Sequence, residues 1–291
     1  MFEGTTVAIV TPFKNGIINE PTLRDLIEFH IEKGTNAILP CGTTGESPTL
    51  SHEEHDKVIE ICIEAARGRV PVLAGTGSNS TAEAIRLTKH AADAGADGAL
   101  VVTPYYNKPT QEGLYLHFKA VAESVKIPII LYNIPGRCSR NIEPVTMARL
   151  ARDCKNIIGV KEAAGSIEQM QTIKSICPKN FLLLSGDDAL TLPLLSIGGK
   201  GVISVAANFI PHDINAMIGA FNAGDVLTAQ TMHYKMLPLI NALFCETNPC
   251  PVKEAMELLN MCSADVRLPM CRLSVENRAK VKKALQDYGL L

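Results

Sequence analysis

Three features are scarce in this sequence, and each scarcity removes a class of protein. Basic residues form no run: 28 Lys and Arg are spread among 30 Asp and Glu, a net charge of −2, so no nucleic-acid-binding face is expected. No apolar stretch is long enough to span a bilayer, and the start "MFEGTTVAIVTPF" lacks a basic head and a long apolar core. Neither a membrane partner nor a secretory signal is therefore read. The nine cysteines form no C-x-x-C pair, and an odd, scattered set reads as reduced thiols in a cytoplasm rather than a disulfide frame. Two motifs also fail on inspection. "HEEH" sets His52 and His55 three apart, not the four of a zincin helix, so no metal site is expected. "GTGSNS" (75–80) carries Ser80 where the dinucleotide fingerprint needs its third glycine.

What is present is a repeating pattern. Eight short runs rich in Val, Ile and Leu recur, at 5–10, 36–40, 70–75, 97–102, 127–132, 156–161, 181–186 and 201–206. Near-continuous apolar runs of this length suit parallel strands covered on both faces. Between them lie amphipathic stretches with readable starts. Pro21 falls in the first turn of one, and "SHEE" (51–54), "STAE" (80–83) and "SIEQ" (166–169) each read as a capping box. Strand–helix repeated eight times predicts a (β/α)8 TIM barrel over 1–224, with 225–291 as a C-terminal helical segment. A doubly wound sheet is the alternative, disfavoured by the failed glycine motif.

In such a barrel, chemistry belongs at the C-terminal ends of strands. "IIGVKEAAG" (157–165) ends its sixth apolar run on Lys161. If Lys161 points inward, alternation puts Gly159 and Ile157 inward too, with Gly159 leaving room for a long side chain and Ile158 and Val160 facing the helices. A lone strand-end lysine more often snorkels to water. Its company argues otherwise: Tyr132 ends the fifth run, Tyr105 and Tyr106 follow the fourth, and Thr43 and Thr44 follow the second. A lysine with hydroxyls is the kit for imine chemistry, in which a neutral amine attacks a ketone and hydroxyls move protons. That amine must be buried enough to lower its pKa from about 10.4. "CGTTGE" (41–46) reads as a tight turn whose amides form an anion nest for a keto-acid carboxylate. "GGKG" (198–201) precedes the eighth run and reads as a bottom-face turn. Cys41, beside the anion turn, reads as a small packing residue.

The motifs "GTTGES", "VVTPYYNKPTQEG", "LYNIPGR", "GVKEA" and "SGDD", in this order along the whole chain, resemble the dihydrodipicolinate synthase family of pyruvate-dependent class I aldolases. The resemblance implies a barrel with a C-terminal helical segment, assembled as a homotetramer of two tight dimers. It implies condensation of pyruvate with L-aspartate 4-semialdehyde, in lysine biosynthesis, to give 4-hydroxy-tetrahydrodipicolinate, with no cofactor beyond the covalent lysine imine. Lys161 matches the Schiff-base lysine and Tyr132 the general acid/base. Thr43 and Tyr106 match the proton relay, Tyr106 entering from the neighbouring subunit. Thr44 matches the pyruvate carboxylate contact, Gly186 and Ile203 match pocket-lining backbone, and Arg137 matches the holder of the semialdehyde carboxylate. Cys138–Ser139 depart from the family's usual pair after that arginine. Family members inhibited by L-lysine bind it at positions matching Ser47, Pro48, His52, His55, Asn79, Glu83 and Tyr105, with Pro48 replacing a small residue. Glu83 is suited to pair an ammonium, and the capping reading assigns it to Ser80 instead. Two other readings stay open: another pyruvate-type aldolase, such as a sialic acid or keto-deoxy sugar acid lyase, and a non-catalytic pyruvate- or lysine-sensing barrel.

Overall fold

A computed structural model describes residues 1–291. The eight apolar runs form eight parallel strands: β1 (Gly4–Ala8), β2 (Ala37–Leu39), β3 (Leu73–Gly75), β4 (Gly98–Val102), β5 (Ile129–Asn133), β6 (Ile157–Glu162), β7 (Leu182–Ser185) and β8 (Gly201–Ser204). From β3 to β8 each strand pairs with its neighbour in the chain, β1 pairs with both β8 and β2, and the bridge Ile38–Val72 joins β2 to β3. The result is the (β/α)8 barrel that the strand–helix repeat predicts.

The outer layer is α1 (Glu20–Glu32), α2 (His52–Ala66), α3 (Thr81–Ala94), α4 (Gln111–Glu123), α5 (Pro144–Asp153), α6 (Ile167–Ile176), α7 (Thr191–Ser196) and α8 (Pro211–Asn222). Their starts follow local chemistry. Asn19 caps α1 with Pro in its first turn, and Ser51 and Glu54 form a complete, reciprocal capping box on α2. The other two expected boxes are only half made. Ser80 and Ser166 accept the amides of Glu83 and Gln169, but the Glu83 carboxylate turns to Ser78 and His52, and the Gln169 amide turns to Asn141 and Glu162. Stronger, partly buried partners outcompete one amide at the helix start.

Apolar residues separate into layers. Leu39, Leu73, Leu100, Ile130, Leu184 and Ile203 fill the barrel interior, and Phe2, before β1, plugs its lower end. Val101, Leu131, Val160 and Leu183 point the other way, into the strand–helix layer. Truncating one interior leucine to alanine costs about 2–5 kcal/mol, because the closed ring cannot collapse around the void.

The alternation expected along β6 holds for Gly159, Val160 and Lys161 but not below them. The register slips between Ile129 and Ile130, which face Ile157 and Gly159. Ile157 therefore lies in the strand–helix layer, while Ile158 packs against the interior. One extra residue in a strand reverses every side chain beyond it. Gly159 also has a different purpose from the one expected: a Cβ there would lie 2.4 Å from the Leu182 carbonyl oxygen, so it admits β7, not the lysine.

After residue 225 the chain is helical, with α9 (Val226–Ala242), α10 (Cys250–Leu258) and α11 (Val275–Tyr288). Met236, Leu239, Val252, Met256 and Leu285 share one apolar cluster with Val7, Ile9 and Ile214 of the barrel. No helix is long and apolar enough to cross a membrane.

Candidate active site

Lys161 stands near the C-terminal end of β6, in register with Tyr132 on β5 and Leu184 on β7. Its side chain points inward and is only 6% exposed. Nζ lies 4.2 Å from the centre of the Tyr132 ring. Burial strips water from the ammonium form and pushes the pKa down to about 7; Asp188 opposes this, and Arg137 adds to it. The space for the lysine comes from Gly186, just past β7. A Cβ there would sit 3.1 Å from the lysine Cε and 2.6 Å from the Ala163 Cβ. Tyr132 is buried as well, which raises its phenol to about 12, with a hydrogen bond from Thr43 acting in the opposite direction.

The turn after β2 brings the threonines beside this pair. Within it, the amides of Gly45, Glu46 and Ser47 bond to the carbonyls of Gly42 and Thr43. The expected anion nest is thus smaller than the sequence reading: three amides close the turn on itself, and those of Thr43 and Thr44 have no backbone acceptor. Thr44 is buried, and Ile203 of β8 belongs to the barrel interior. Arg137 sits on a single helical turn, Pro135–Cys138. Cys41 is buried and its thiol rises well above its ordinary range, so it packs rather than reacts.

A cavity of about 340 Å³ opens here, and its wall joins Thr43, Tyr132 and Arg137 to most of the positions expected to hold lysine. Ser47, Pro48, His52, His55, Glu83 and Tyr105 all line it. Lys161, Thr44, Gly186 and Ile203 lie outside the lining; the first two and Ile203 are buried, and Gly186 is half-buried. The Glu83 carboxylate accepts from Ser78 and meets His52 Nε2 at 2.7 Å, and both hold its pKa below the usual carboxylate range. His55 is different. It is buried, its Nε2 donates to the Gly75 carbonyl at 2.9 Å, and burial lowers its pKa to about 4. Asn79 does not line the cavity; its carbonyl accepts from Asn107. Tyr106 does not enter either: it is 89% exposed, with φ of 69°.

Several buried polar groups behind the site escaped the sequence reading. Glu162, next to Lys161, accepts from Asn133 Nδ2, Gln169 Nε2 and the Ala164 amide, and burial raises its pKa. Asp188 accepts from the amides of Val205 and Ala206, tying the loop after β7 to the loop after β8. Glu46 pairs with Lys253 of α10 at 2.5 Å. The only available signal was an acid one to three residues past an apolar run, as in "GVKE" and "SGDD".

A closed parallel barrel with one desolvated amine at a strand end defines a class, the aldolase-type (β/α)8 enzymes. The dihydrodipicolinate synthetase family matches residues 1–288, and the chain belongs to that family. It is 63% identical to the 4-hydroxy-tetrahydrodipicolinate synthase of Syntrophus aciditrophicus over the full length of both chains. Among solved structures, dihydrodipicolinate synthase from Aquifex aeolicus superimposes with a TM-score of 0.98 at 52% identity, covering 99% of each chain. The DHDPS from Cyanidioschyzon merolae, solved with lysine bound, superimposes with a TM-score of 0.98 at 42% identity, covering 100% of this chain and 99% of that one.

Proposed function

We propose that this enzyme condenses pyruvate with L-aspartate 4-semialdehyde through an imine on Lys161, giving 4-hydroxy-tetrahydrodipicolinate for lysine biosynthesis. One observation carries the reading: a buried amine whose pKa falls to about 7, so that a large fraction is unprotonated at neutrality. Nζ attacks the ketone carbon of pyruvate, and the ketone oxygen leaves as water. The iminium acidifies the methyl group, and loss of a proton gives an enamine whose carbon attacks the aldehyde. The amine of the bound semialdehyde then displaces Nζ and closes the ring, returning free lysine. Tyr132, Thr43 and a Tyr106 from a neighbouring subunit carry the protons. Thr44 and the nearby amides receive the pyruvate carboxylate, beside Gly186 and Ile203. Arg137 receives the carboxylate of the semialdehyde.

Borohydride reduction in the presence of pyruvate, followed by mass spectrometry, tests the central step. The expected adduct is on Lys161; an unlabelled Lys161 would sink the reading. Arg137→Ala tests substrate choice. It should cripple turnover with the semialdehyde and leave pyruvate trapping nearly intact, whereas equal loss of both would point to a different aldolase.

L-Lysine is the proposed feedback inhibitor, at the lobe of the cavity formed by Ser47, Pro48, His52, Glu83 and Tyr105. The lysine-bound relative and the carboxylate of Glu83 support this assignment. The proposed assembly is a homotetramer of paired dimers, and an exposed Tyr106 outside its own cavity suits donation to the partner within each pair. Nine free cysteines support a reducing, cytoplasmic setting.

A further inference from the structure

We propose that Asn248, between α9 and α10, is a positioning residue that sets the donor direction of both carboxylate receptors, Thr44 and Arg137. The inference rests on the functional reading above. Asn248 is 5% exposed and lies 204 positions from Thr44 and 111 from Arg137 in the chain. Its Nδ2 donates to Thr44 Oγ1 at 3.0 Å. Its backbone carbonyl accepts from Arg137 Nη2 at 3.1 Å. Its Oδ1 is buried without any partner.

The chemistry follows from what each group can still do. A hydroxyl that accepts one bond keeps its own proton to give elsewhere. With Nδ2 occupying one of its lone pairs, Thr44 has no acceptor on that side to turn its proton toward, and it remains a donor for a carboxylate. Arg137 commits one N–H to the Asn248 carbonyl and keeps the rest of its planar fork for a second carboxylate. An unpaired buried oxygen is costly, about 1–3 kcal/mol, and the opposite amide orientation would satisfy it by taking the Thr44 proton. The structure keeps the orientation that leaves the threonine free to donate.

The residue is held firmly enough to do this. Lys253, on the first turns of α10, pairs with Glu46, two residues beyond Thr44, and donates to the Asp265 carbonyl at 2.8 Å. The turn after β2 and the start of α10 are therefore tied at two points, the Asn248–Thr44 bond and the Lys253–Glu46 pair.

The test is a set of pyruvate titrations read by borohydride trapping and by steady-state rate. Wild-type enzyme is the reference: if its Lys161 takes no label, the functional reading falls and this inference falls with it. Asn248→Leu removes the donor; Asn248→Asp, matched in size, replaces the donor with an acceptor that claims the Thr44 proton. Both should raise the pyruvate KM about tenfold, the size of one charge-assisted hydrogen bond, with a smaller change in kcat. In a Thr44→Val background, Asn248→Leu should add nothing further to the pyruvate KM. If wild type is labelled and both variants keep its pyruvate KM, or if the Leu effect adds in full to that of Thr44→Val, Asn248 does not act through Thr44 and the inference is overturned. Asn248→Asp supplies the same readout should Asn248→Leu not fold.

Discussion

Two lysines of this chain are buried under an aromatic ring. Lys161 Nζ lies 4.2 Å from the Tyr132 ring, and Lys253 Nζ lies 4.3 Å from the Phe13 ring. By burial alone Lys253 is the more extreme, with no exposed surface at all. The difference is the partner. Lys253 meets Glu46 at 2.5 Å and the Asp265 carbonyl at 2.8 Å, so the downward push of burial is opposed by a carboxylate in contact. Lys161 has no anion in contact; buried Asp188 favours its charge from a distance, and Arg137 disfavours it. Two lysines with equal aromatic cover therefore do different things: one is a structural cation and the other a free amine. Reactivity comes from desolvation without a carboxylate in contact: Glu162 is held by amide donors, and Asp188 gives one oxygen to the amides of Val205 and Ala206.

The comparison can be broken most severely at Lys161 itself. Lys161→Met should abolish labelling by pyruvate and borohydride, and turnover with it. The same change removes an uncompensated buried amine, so the variant should melt higher, roughly 2–4 °C per kcal/mol gained. The sign of its pH dependence is set by the lowered folded-state pKa: between about 7 and the ordinary 10.5 the unfolded wild type binds more protons, so wild-type stability rises with pH. The Met advantage should be full below pH 7 and fade toward 10.5. Melting scans across that range check it. Lys253→Met should do the opposite, costing about 3–5 kcal/mol in chemical denaturation because Glu46 is left buried and charged, while Lys161 stays trappable. The Glu46→Leu/Lys253→Met pair should recover most of that loss.

A third prediction sharpens the contrast without mutation. The initial rate of pyruvate imine formation should rise about tenfold per pH unit on the acid side and level off above about 7, where Lys161 is neutral. A stopped-flow pH series with an unchanged rate from pH 5.5 to 8 would contradict the assignment of the free amine. The smallest effect is expected at Glu83, whose histidine partner is 56% exposed and therefore exchangeable for a ligand ammonium. Glu83→Gln should raise the L-lysine concentration for half-inhibition roughly tenfold and leave the uninhibited rate close to wild type. Dose–response curves with added lysine decide it.

Much of this was legible along the chain because it is local. Each strand is a short apolar run, and most helices announce their start with a capping side chain or a proline. The site residues follow strand ends, where this architecture puts chemistry, so Lys161, Tyr132 and Thr43 are readable as a set. What was misread is contact-dependent. Gly159 looked like space for the lysine, but the Leu182 backbone fills it, and Gly186, just past the next strand, makes the room. Glu83 looked like a cap for Ser80, but Ser78 and His52 claim its carboxylate.

The spacing of apolar runs determined the barrel, and strand-end placement determined which amine and which hydroxyls meet, because both follow from periodicities of two and 3.6 residues that any stretch carries within itself. Only the folded chain decided which buried lysine is free and which is paired. It also decided that the segment entering α10, and α10 itself, bond to the turn after β2 through Asn248 and Lys253. Those outcomes depend on side chains about 200 positions apart sharing a few ångströms in a dry interior, and no local pattern records which partner a desolvated charge will find.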